Sequence, residues 1–268
     1  MKKTPSILLT FDVEEFDLPL EYGINLSEQK QMEVGKEGLD IIENLLSHNN
    51  ITSTLFTTAN FALRFPSKIK DLAQNHEIAS HTFYHSSYND ADLKNSLEIL
   101  ENITSKKVFG VRIPRMKKTD TALIKEAGYI YDSSVNPTWI PGRYNNLNKP
   151  RKFYSENGIT EVPASVSPNL RIPLFWLAFK NFPYIYFKRL ALQCLKKDGY
   201  LSLYFHPWEF TNLNAYILPP IIKRKSGIDL QHQLQKLISD LKKEGEFMTI
   251  YTFLNNYILQ ECSEGKNR

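Results

Sequence analysis

Residues 6–16 read SILLTFDVEEF, and this stretch decides the fold class because an apolar run ends abruptly in carboxylates. Residues 7–11 are apolar and rich in β-forming side chains, as expected of a buried strand in a parallel sheet. The acidic side chains of Asp12, Glu14 and Glu15 follow at the C-terminal end of that strand. Parallel α/β folds collect their active sites at this end of the strands, so the stretch also marks a candidate site.

Predicted helices and strands alternate along the rest of the chain. The helical spacing of Leu39, Ile42 and Leu45 predicts the first helix. Further strands are predicted at residues 52–57, 77–80, 108–112, 129–133, 200–205 and 247–251, and further helices at residues 67–74, 90–102, 120–127 and 229–243. This alternation predicts an α/β fold with a parallel sheet, either open or closed.

Two segments interrupt the alternation. Residues 137–168 are rich in Pro, Asn and Gly and are predicted to form a loop or a hairpin. Residues 172–195 are crowded with Phe, Tyr, Trp and Leu and are predicted to form a core-packing helix interrupted near Pro183. In the alternative interpretation, part of their aromatic face contacts a lipid-linked substrate or the membrane interface.

Composition limits the classes of function. The 33 basic and 29 acidic residues give a net charge of +4, and the basic residues are scattered, which argues against nucleic-acid binding. Cys194 and Cys262 form no disulfide framework, so a reducing compartment is expected. No signal peptide and no apolar run of about 18 residues is found, so we expect a soluble, cytoplasmic protein with one domain over residues 1–268.

Polar side chains cluster where four predicted strands end, at residues 12–15 (DVEE), 81–85 (HTFYH), 112–115 (RIPR) and 206–209 (HPWE). Side chains two apart in a strand point the same way, so Asp12 and Glu14 can share a pocket. His81 and His85 would share one face if their segment formed a helical turn. Two histidines and one carboxylate leave zinc a coordination position for water, which is the pattern of a catalytic metal site.

In this order, the clusters resemble the motifs of the carbohydrate esterase family four polysaccharide deacetylases, also called the NodB-homology family. The resemblance spans nearly the whole chain and is carried by Thr10-Phe11-Asp12, His81 to His85, Arg112 to Pro114, Asp132-Ser133-Ser134 and Tyr204-Phe205-His206. The DVEE beginning and the HPWE ending most resemble a subgroup found with bacterial exopolysaccharide and surface-glycan systems. The resemblance implies a distorted, seven-stranded (β/α) barrel of the glycoside hydrolase/deacetylase type.

The resemblance also implies an N-deacetylase acting on an acetylated amino sugar, in a polysaccharide or in a lipid- or nucleotide-linked precursor. Its implied divalent metal, with zinc the expected ion, would be held by Glu14, His81 and His85. Asp12 would be the base, Arg112 would keep it ionised, and His206 would be the acid. The remaining expected roles are ring support for His206 by Asp132, an oxyanion contact from the backbone N–H of Tyr84 or a neighbour, and substrate contacts by Arg115 and Trp208.

Three alternatives stay open at this point. This sequence departs from the family pattern because its second carboxylate is Glu14, two positions after the base, so Glu15 or Asp17 could be the ligand instead. The chain could also be a metal-independent, allantoinase-like amidohydrolase. The third alternative is a sugar-binding barrel without turnover, against which the retained base and acid argue.

Overall fold

The computed structural model describes residues 4–264, with side chains up to residue 257. Within these limits Cys194 is buried and free of any disulfide, whereas the side chain of Cys262 lies outside the described residues. None of the described helices combines the length and the hydropathy that are needed to cross a lipid bilayer.

The strands form one large curled sheet and one small hairpin. They are β1 (Ser6–Val13), β2 (Thr54–Thr57), β3 (Glu77–Ser80), β4 (Gly110–Val111), β5 (Tyr131–Asp132), β6 (Trp139–Ile140), β7 (Tyr144–Asn145), β8 (Tyr154–Glu156), β9 (Ile159–Glu161), β10 (Tyr200–Phe205) and β11 (Glu246–Phe247). The large sheet has the order β10-β1-β2-β3-β4-β5-β9-β8, β11 pairs with β1, and β6 pairs with β7 in the hairpin.

Neighbouring strands from β10 to β9 in that order are parallel, and β8 closes the edge as an antiparallel partner of β9. The sheet curls into a half-barrel, which confirms the predicted α/β fold of the NodB-like barrel type. Beyond β9 the chain turns toward the opposite edge, where the backbone N–H of Ser165 donates to the carbonyl of Ser202 at 2.9 Å. This contact links the two ends of the curled sheet.

The helices pack on both faces of the sheet: most cover the outer face, and the last one contributes Ile250 and Phe253 to the apolar cluster on the other face. They are α1 (Glu28–His48), α2 (Ala59–Arg64), α3 (Pro66–Leu72), α4 (Asp92–Thr104), α5 (Thr121–Ala127), α6 (Trp176–Asn181), α7 (Tyr184–Asp198), α8 (Pro220–Lys223), α9 (Ile228–Leu241) and α10 (Ile250–Glu264). The α6–α7 pair confirms the predicted helix interrupted near Pro183.

The alternation of β1 separates its two faces. Ile7, Leu9, Phe11 and Val13 pack into the large apolar core together with helical side chains such as Leu39 of α1. Leu8 belongs to a second core on the other face, where Thr10 and Asp12 follow it at intervals of two residues. On this face of β1 the side chains therefore change from apolar to polar toward the C-terminal end of the strand, and Asp12 lies inside the curled sheet.

The structure differs from the predicted elements in several places. Residues 247–251 were predicted to be one strand, but β11 ends at Phe247 and α10 begins at Ile250. The hydroxyl of Thr249 accepts a hydrogen bond from the N–H of Thr252, which caps the new helix. Helix α2 and strand β9 were not predicted, although β9 extends the parallel sheet.

Helix α1 approaches the chain after β10 so closely that only glycine fits at position 38. A Cβ atom added to Gly38 would lie 2.1 Å from the carbonyl oxygen of Pro207. We expect Gly38→Ala to destabilise the fold by about 1–3 kcal/mol through overpacking and to displace the segment that begins at His206. Thermal denaturation would measure this loss, with Asn44→Ala on the exposed face of α1 as the control. A Gly38→Ala protein as stable as the wild type would contradict the tight packing.

Candidate active site

Glu14 lies between two histidine side chains at the C-terminal end of the sheet. Its Oε2 atom is 3.1 Å from Nε2 of His81 and 3.4 Å from Nε2 of His85. That oxygen is buried and has no hydrogen-bond partner among the described residues. The two imidazoles stack with ring centroids 5.7 Å apart and an interplanar angle of 20°. Three potential ligand atoms thus face one point.

The far side of each ligand candidate is held by another group. Nδ1 of His81 donates to the carbonyl of Arg112 at 2.7 Å, and Nδ1 of His85 donates to Oδ1 of Asp17 at 2.7 Å. The indole N–H of Trp208 donates to Oε1 of Glu14 at 3.0 Å. These contacts orient both Nε2 atoms toward Glu14 Oε2, as outer hydrogen bonds do in metal sites.

This arrangement fits a divalent metal ion. Ligands about 2.0–2.2 Å from a tetrahedral zinc ion lie roughly 3.3 Å from one another, and the observed Nε2–Oε2 separations are 3.1 and 3.4 Å. The three donor atoms lie within 4.8 Å of one another. The unpartnered Oε2 is the atom that such an ion would satisfy.

Protonation balances the charge of the site in the metal-free protein. Burial alone would raise the pKa of Glu14, but the neighbouring charge of His85 and the other two histidines hold that pKa well below its usual range. Burial lowers the pKa of His85, but Glu14 and Asp17 outweigh it and raise that pKa to about 9. Metal binding would therefore displace a proton from His85 near neutral pH.

The two alternative carboxylate ligands are engaged elsewhere. Glu15 accepts hydrogen bonds from Oγ1 of Thr58 at 2.7 Å and from the side-chain amide of Asn60 at 3.1 Å. Asp17 supports His85 from behind. Of these three acidic residues, Glu14 alone faces both Nε2 atoms in the described structure.

The segment between the two histidines does not form the helical turn that we considered. Its carbonyls at Thr82 and Phe83 accept hydrogen bonds from the backbone N–H groups of Ala59 and Asn60, which begin α2. The chain bends instead at Thr82, whose φ angle of 61° lies in the left-handed region. The imidazoles still stack because this bend, rather than a helix, returns His85 beside His81.

Arg112 fixes Asp12 at the edge of the metal-ligand cluster, the three candidate ligands Glu14, His81 and His85. Nη1 of Arg112 donates to Oδ1 of Asp12 at 2.6 Å and to Oγ1 of Thr10 at 2.9 Å. The rest of the guanidinium donates to the backbone and hydroxyl oxygens of Ser133 at 3.0 and 2.9 Å and lies 4.0 Å from the ring centroid of Phe56. A fully buried arginine with all these partners leaves Asp12 one fixed orientation.

His206 lies on the other side of Asp12, with its Nε2 atom 3.9 Å from Oδ2 of Asp12. Its Nδ1 donates to Oε1 of Glu209 at 3.0 Å, and its backbone N–H donates to the same oxygen at 2.8 Å. Burial lowers the pKa of His206, but Glu14 and the hydrogen bond to Glu209 outweigh it and raise that pKa overall.

The expectation that Asp132 supports the His206 ring was wrong. Asp132 accepts a hydrogen bond from Oγ of Ser134 and lies against Glu161, and burial raises its pKa to about 6. Glu209 takes the supporting role because Pro207–Phe210 forms one turn of 3₁₀ helix capped by His206, which brings residues three apart into contact. The spacing of a capping box in HPWE was the sequence signal for this pairing.

The three predicted substrate contacts differ in their positions. Arg115 is partly exposed and pairs with Glu21 at 3.1 Å. Trp208 is buried and stacks on His206 with centroids 4.9 Å apart. The Tyr84 side chain is exposed, packs on Phe83, and is absent from the residues that line the cavity over the site.

The site opens into two adjoining cavities. The first has a volume of about 180 Å³, and its wall includes the aromatic side chains of Phe175, Trp176 and Trp208. The polar groups that it contains are Asp12, Glu14, His81, His85 and His206. The second has a volume of about 1050 Å³ and shares residues such as His85 and Arg115 with the first. A substrate much larger than a single acetamide group therefore has room beside the metal-ligand cluster.

Asp17 offers a test of how strongly the outer contacts support the ligands. We expect Asp17→Ala to weaken zinc affinity about 10–100-fold, because His85 loses the partner that fixes its ring and tautomer. Competition with a chromogenic chelator would measure the affinity. Glu21→Ala is the matched control, since Glu21 pairs with Arg115 but not with His85. Equal zinc affinities for Asp17→Ala and the wild type would contradict this role.

Two family models divide the chain between them. The polysaccharide deacetylase model matches residues 2–131, and a model described as a domain of unknown function, DUF3473, matches residues 133–255. The first segment contains Asp12, Glu14, both histidines of the metal-ligand cluster and Arg112, whereas the second contains His206 and Glu209. The candidate site is therefore assembled from both segments.

Solved structures share the fold. A Mycobacterium smegmatis protein described as a polysaccharide deacetylase superposes with a TM-score of 0.64 at 16% identity, over 97% of this chain and 93% of that chain. PuuE allantoinase superposes with a TM-score of 0.58 at 17% identity, over 92% and 88% of the two chains. A CE4 family pseudoenzyme from Bacillus anthracis gives a TM-score of 0.51 at 11% identity, over 94% and 66%.

Comparison with curated proteins found no match. At these identities, the structural likenesses establish the fold. The polysaccharide deacetylase model matches the segment of the chain that contains the metal-ligand cluster. Residues 2–131 of this chain therefore match the polysaccharide deacetylase family, the NodB-homology family also called carbohydrate esterase family four.

Proposed function

We propose that this protein is a metal-dependent hydrolase that removes the N-acetyl group from an acetylated amino sugar of a glycan or a glycan precursor. The observation that carries the proposal is the unpartnered Glu14 Oε2 facing two imidazole nitrogens, with Asp12 and His206 beside it. We include both family-model segments in one catalytic domain, because each supplies strands to the same sheet and side chains to the same site.

Glu14, His81 and His85 would hold the ion, and two imidazoles with one carboxylate favour zinc. When bound, the ion supplies Lewis-acid polarisation of the acetamide carbonyl and of a water molecule. The hydrogen bonds that His81 donates to the Arg112 carbonyl, that His85 donates to Asp17 and that Trp208 donates to Glu14 keep the three ligands in place.

Asp12 takes the proton of the attacking water in this proposal. Its Oδ1 is occupied by Arg112, so Oδ2, on the side of His206, is the oxygen that accepts the proton. Because Arg112 is rigidly held by Thr10 and Ser133, the base cannot rotate away from the reacting atoms. Such positioning is part of what general-base catalysis requires.

His206 donates the second proton. As the C–N bond of the acetamide breaks, Nε2 of His206 protonates the departing amine, and the acetyl group leaves as acetate. Glu209 keeps Nδ1 protonated, so Nε2 is the atom that exchanges a proton with the substrate. The raised pKa of His206 favours the imidazolium form that can donate this proton.

The cavity walls support a sugar as the substrate. Trp176 and Phe175 line the smaller cavity next to His206, and aromatic rings of this kind can pack against the apolar face of a pyranose. The larger cavity is lined by basic side chains such as Lys117 and by acidic side chains such as Asp120, so it offers donors and acceptors to a glycan or to a lipid- or nucleotide-linked precursor. Peripheral membrane contact would accompany a lipid-linked substrate.

Acetate release tests the proposal directly. Zinc-loaded protein is incubated with N-acetylglucosamine oligomers and with nucleotide-linked N-acetylglucosamine, and acetate is measured with and without a chelator. We expect release that the chelator abolishes and zinc restores. Allantoin is the contrast substrate: its hydrolysis in the presence of chelator would support the amidohydrolase alternative. Binding of oligomers without any acetate release would support a non-catalytic barrel.

A further inference from the structure

Lys180 of α6 is a lysine with no exposed surface in the described structure. Its Nζ atom has no hydrogen-bond partner there, and its nearest opposite charge is Oε2 of Glu209, 3.6 Å away. Lys180 also makes a cation–π contact with the ring of Trp176, whose centroid lies 5.6 Å from Nζ. Because a buried ammonium group is costly unless it is paired, its location opposite Glu209 requires an explanation.

Glu209 connects this lysine to the proposed acid. Its Oε1 accepts both hydrogen bonds from His206, and its Oε2 has no hydrogen-bond partner and faces Lys180. The three groups therefore form one buried row, His206–Glu209–Lys180, with the carboxylate in the middle. Trp176 packs on both ends, since its ring centroid is also 5.2 Å from that of His206.

We propose that Lys180 is a positioning residue of the deacetylation site, whose ammonium group fixes the Glu209 carboxylate against His206 and weakens the hold of that pair on its proton. This proposal rests on the function proposed above. An unpaired Glu209 would bind the His206 proton too tightly, because a lone buried carboxylate is stabilised by the imidazolium. Lys180 offsets that charge, so His206 can release its proton to the departing amine.

The charges around the row support the direction of this effect. The negative charges of Glu14, Glu209 and Asp12 each favour the protonated imidazole of His206, and the last two pair with it directly. Lys180 is the one cation at Glu209 among the described ion pairs apart from His206 itself. Burial lowers the pKa of Lys180, and Glu209 partly restores it, which is consistent with an ammonium group that depends on this carboxylate.

The pH profile of kcat/KM distinguishes positioning from simple packing. Activity falls at alkaline pH as His206 loses its proton, so the alkaline limb reports the proton affinity of the row. We expect Lys180→Met to shift this limb upward by about one pH unit and to lower kcat with little change in KM. We expect the opposite shift for Glu209→Gln, which removes the negative charge and keeps the oxygen that accepts from His206.

Controls exclude a general effect of losing a buried lysine. Lys68→Met removes another largely buried lysine, which pairs with Asp40 away from the cavity, and should leave the limb in place. If Lys180→Met does not fold, the double variant Lys180→Met/Glu209→Gln, which buries no unpaired charge, replaces it. The alkaline limb of the double variant should lie at a higher pH than that of Glu209→Gln alone.

A readout without turnover separates this inference from the proposed function. NMR titration of the His206 imidazole in zinc-loaded protein should show the same opposite shifts for the two single variants. A folded Lys180→Met protein whose His206 titrates as in the wild type would overturn the role of Lys180, even if the wild type deacetylates sugars. A wild type that releases no acetate but shows the two shifts would refute the function alone.

Discussion

Asp12→Asn is expected to lower kcat/KM by at least about a thousandfold while zinc content stays at the wild-type level, since general-base catalysis commonly contributes about 10²–10⁴-fold. The amide keeps the size of the carboxylate, and its oxygen can still accept the hydrogen bond from Arg112 that Oδ1 accepts now. Only the capacity to take a proton at Oδ2 is lost. The rate of acetate release and zinc analysis of the purified protein would measure the two quantities.

The control for Asp12→Asn is a substitution at a nearby carboxylate that does not reach the reacting atoms. Glu15→Gln is suitable, because Glu15 is buried outside the lining of the cavity and accepts hydrogen bonds from Thr58 and Asn60. We expect this control to keep most of the activity. If Asp12→Asn retained activity within tenfold of the wild type, another group would have to be the base.

His81→Ala is the second variant for which we expect a large effect, the loss of both the ion and the activity. The substitution removes one of three ligand atoms and also the hydrogen bond from Nδ1 to the Arg112 carbonyl. We expect zinc affinity to fall by more than the roughly 10–100-fold that is typical when an outer supporting group is lost. Zinc content after dialysis and zinc-dependent acetate release would both be close to zero.

A histidine outside the site provides the control for His81→Ala. His232 is exposed on α9 and faces none of the ligand atoms, so His232→Ala should keep zinc and activity. An active, zinc-free His81→Ala protein would contradict the metal-dependent mechanism. It would favour the allantoinase-like alternative instead.

The fold was largely predictable because β1 and the later strands alternate with amphipathic helices in the printed sequence. Strand β9 could not be placed in advance, because its Asn157-Gly158 turn predicts a hairpin but does not indicate which sheet the hairpin joins. Residues 247–251 were ambiguous for a different reason. A short apolar run fits a strand or the start of a helix, and the cap at Thr249 decided the outcome.

The candidate site was predictable where local geometry determined it. Side-chain alternation along β1 correctly placed Asp12 and Glu14 on one side. Residues two apart in an extended chain point the same way whatever the rest of the fold does. The partner of His206 was not found, since Asp132 was chosen from the family resemblance while the contact to Glu209 depends on a single 3₁₀ turn. Lys180 gave no signal at all in the sequence, because its burial depends on how α6 packs.

The left-handed backbone at Thr82 has a further consequence for selectivity between ions. A β-branched residue in this conformation costs on the order of 1–2 kcal/mol, which folding must overcome before any ion arrives. Hydrogen bonds from the backbone N–H groups of Ala59 and Asn60 to the carbonyls of Thr82 and Phe83 hold the loop in this conformation, so it cannot easily widen or contract around an ion. Donors fixed in this way discriminate by ionic radius, so large, oxygen-seeking cations such as Ca²⁺ would be poorly accommodated.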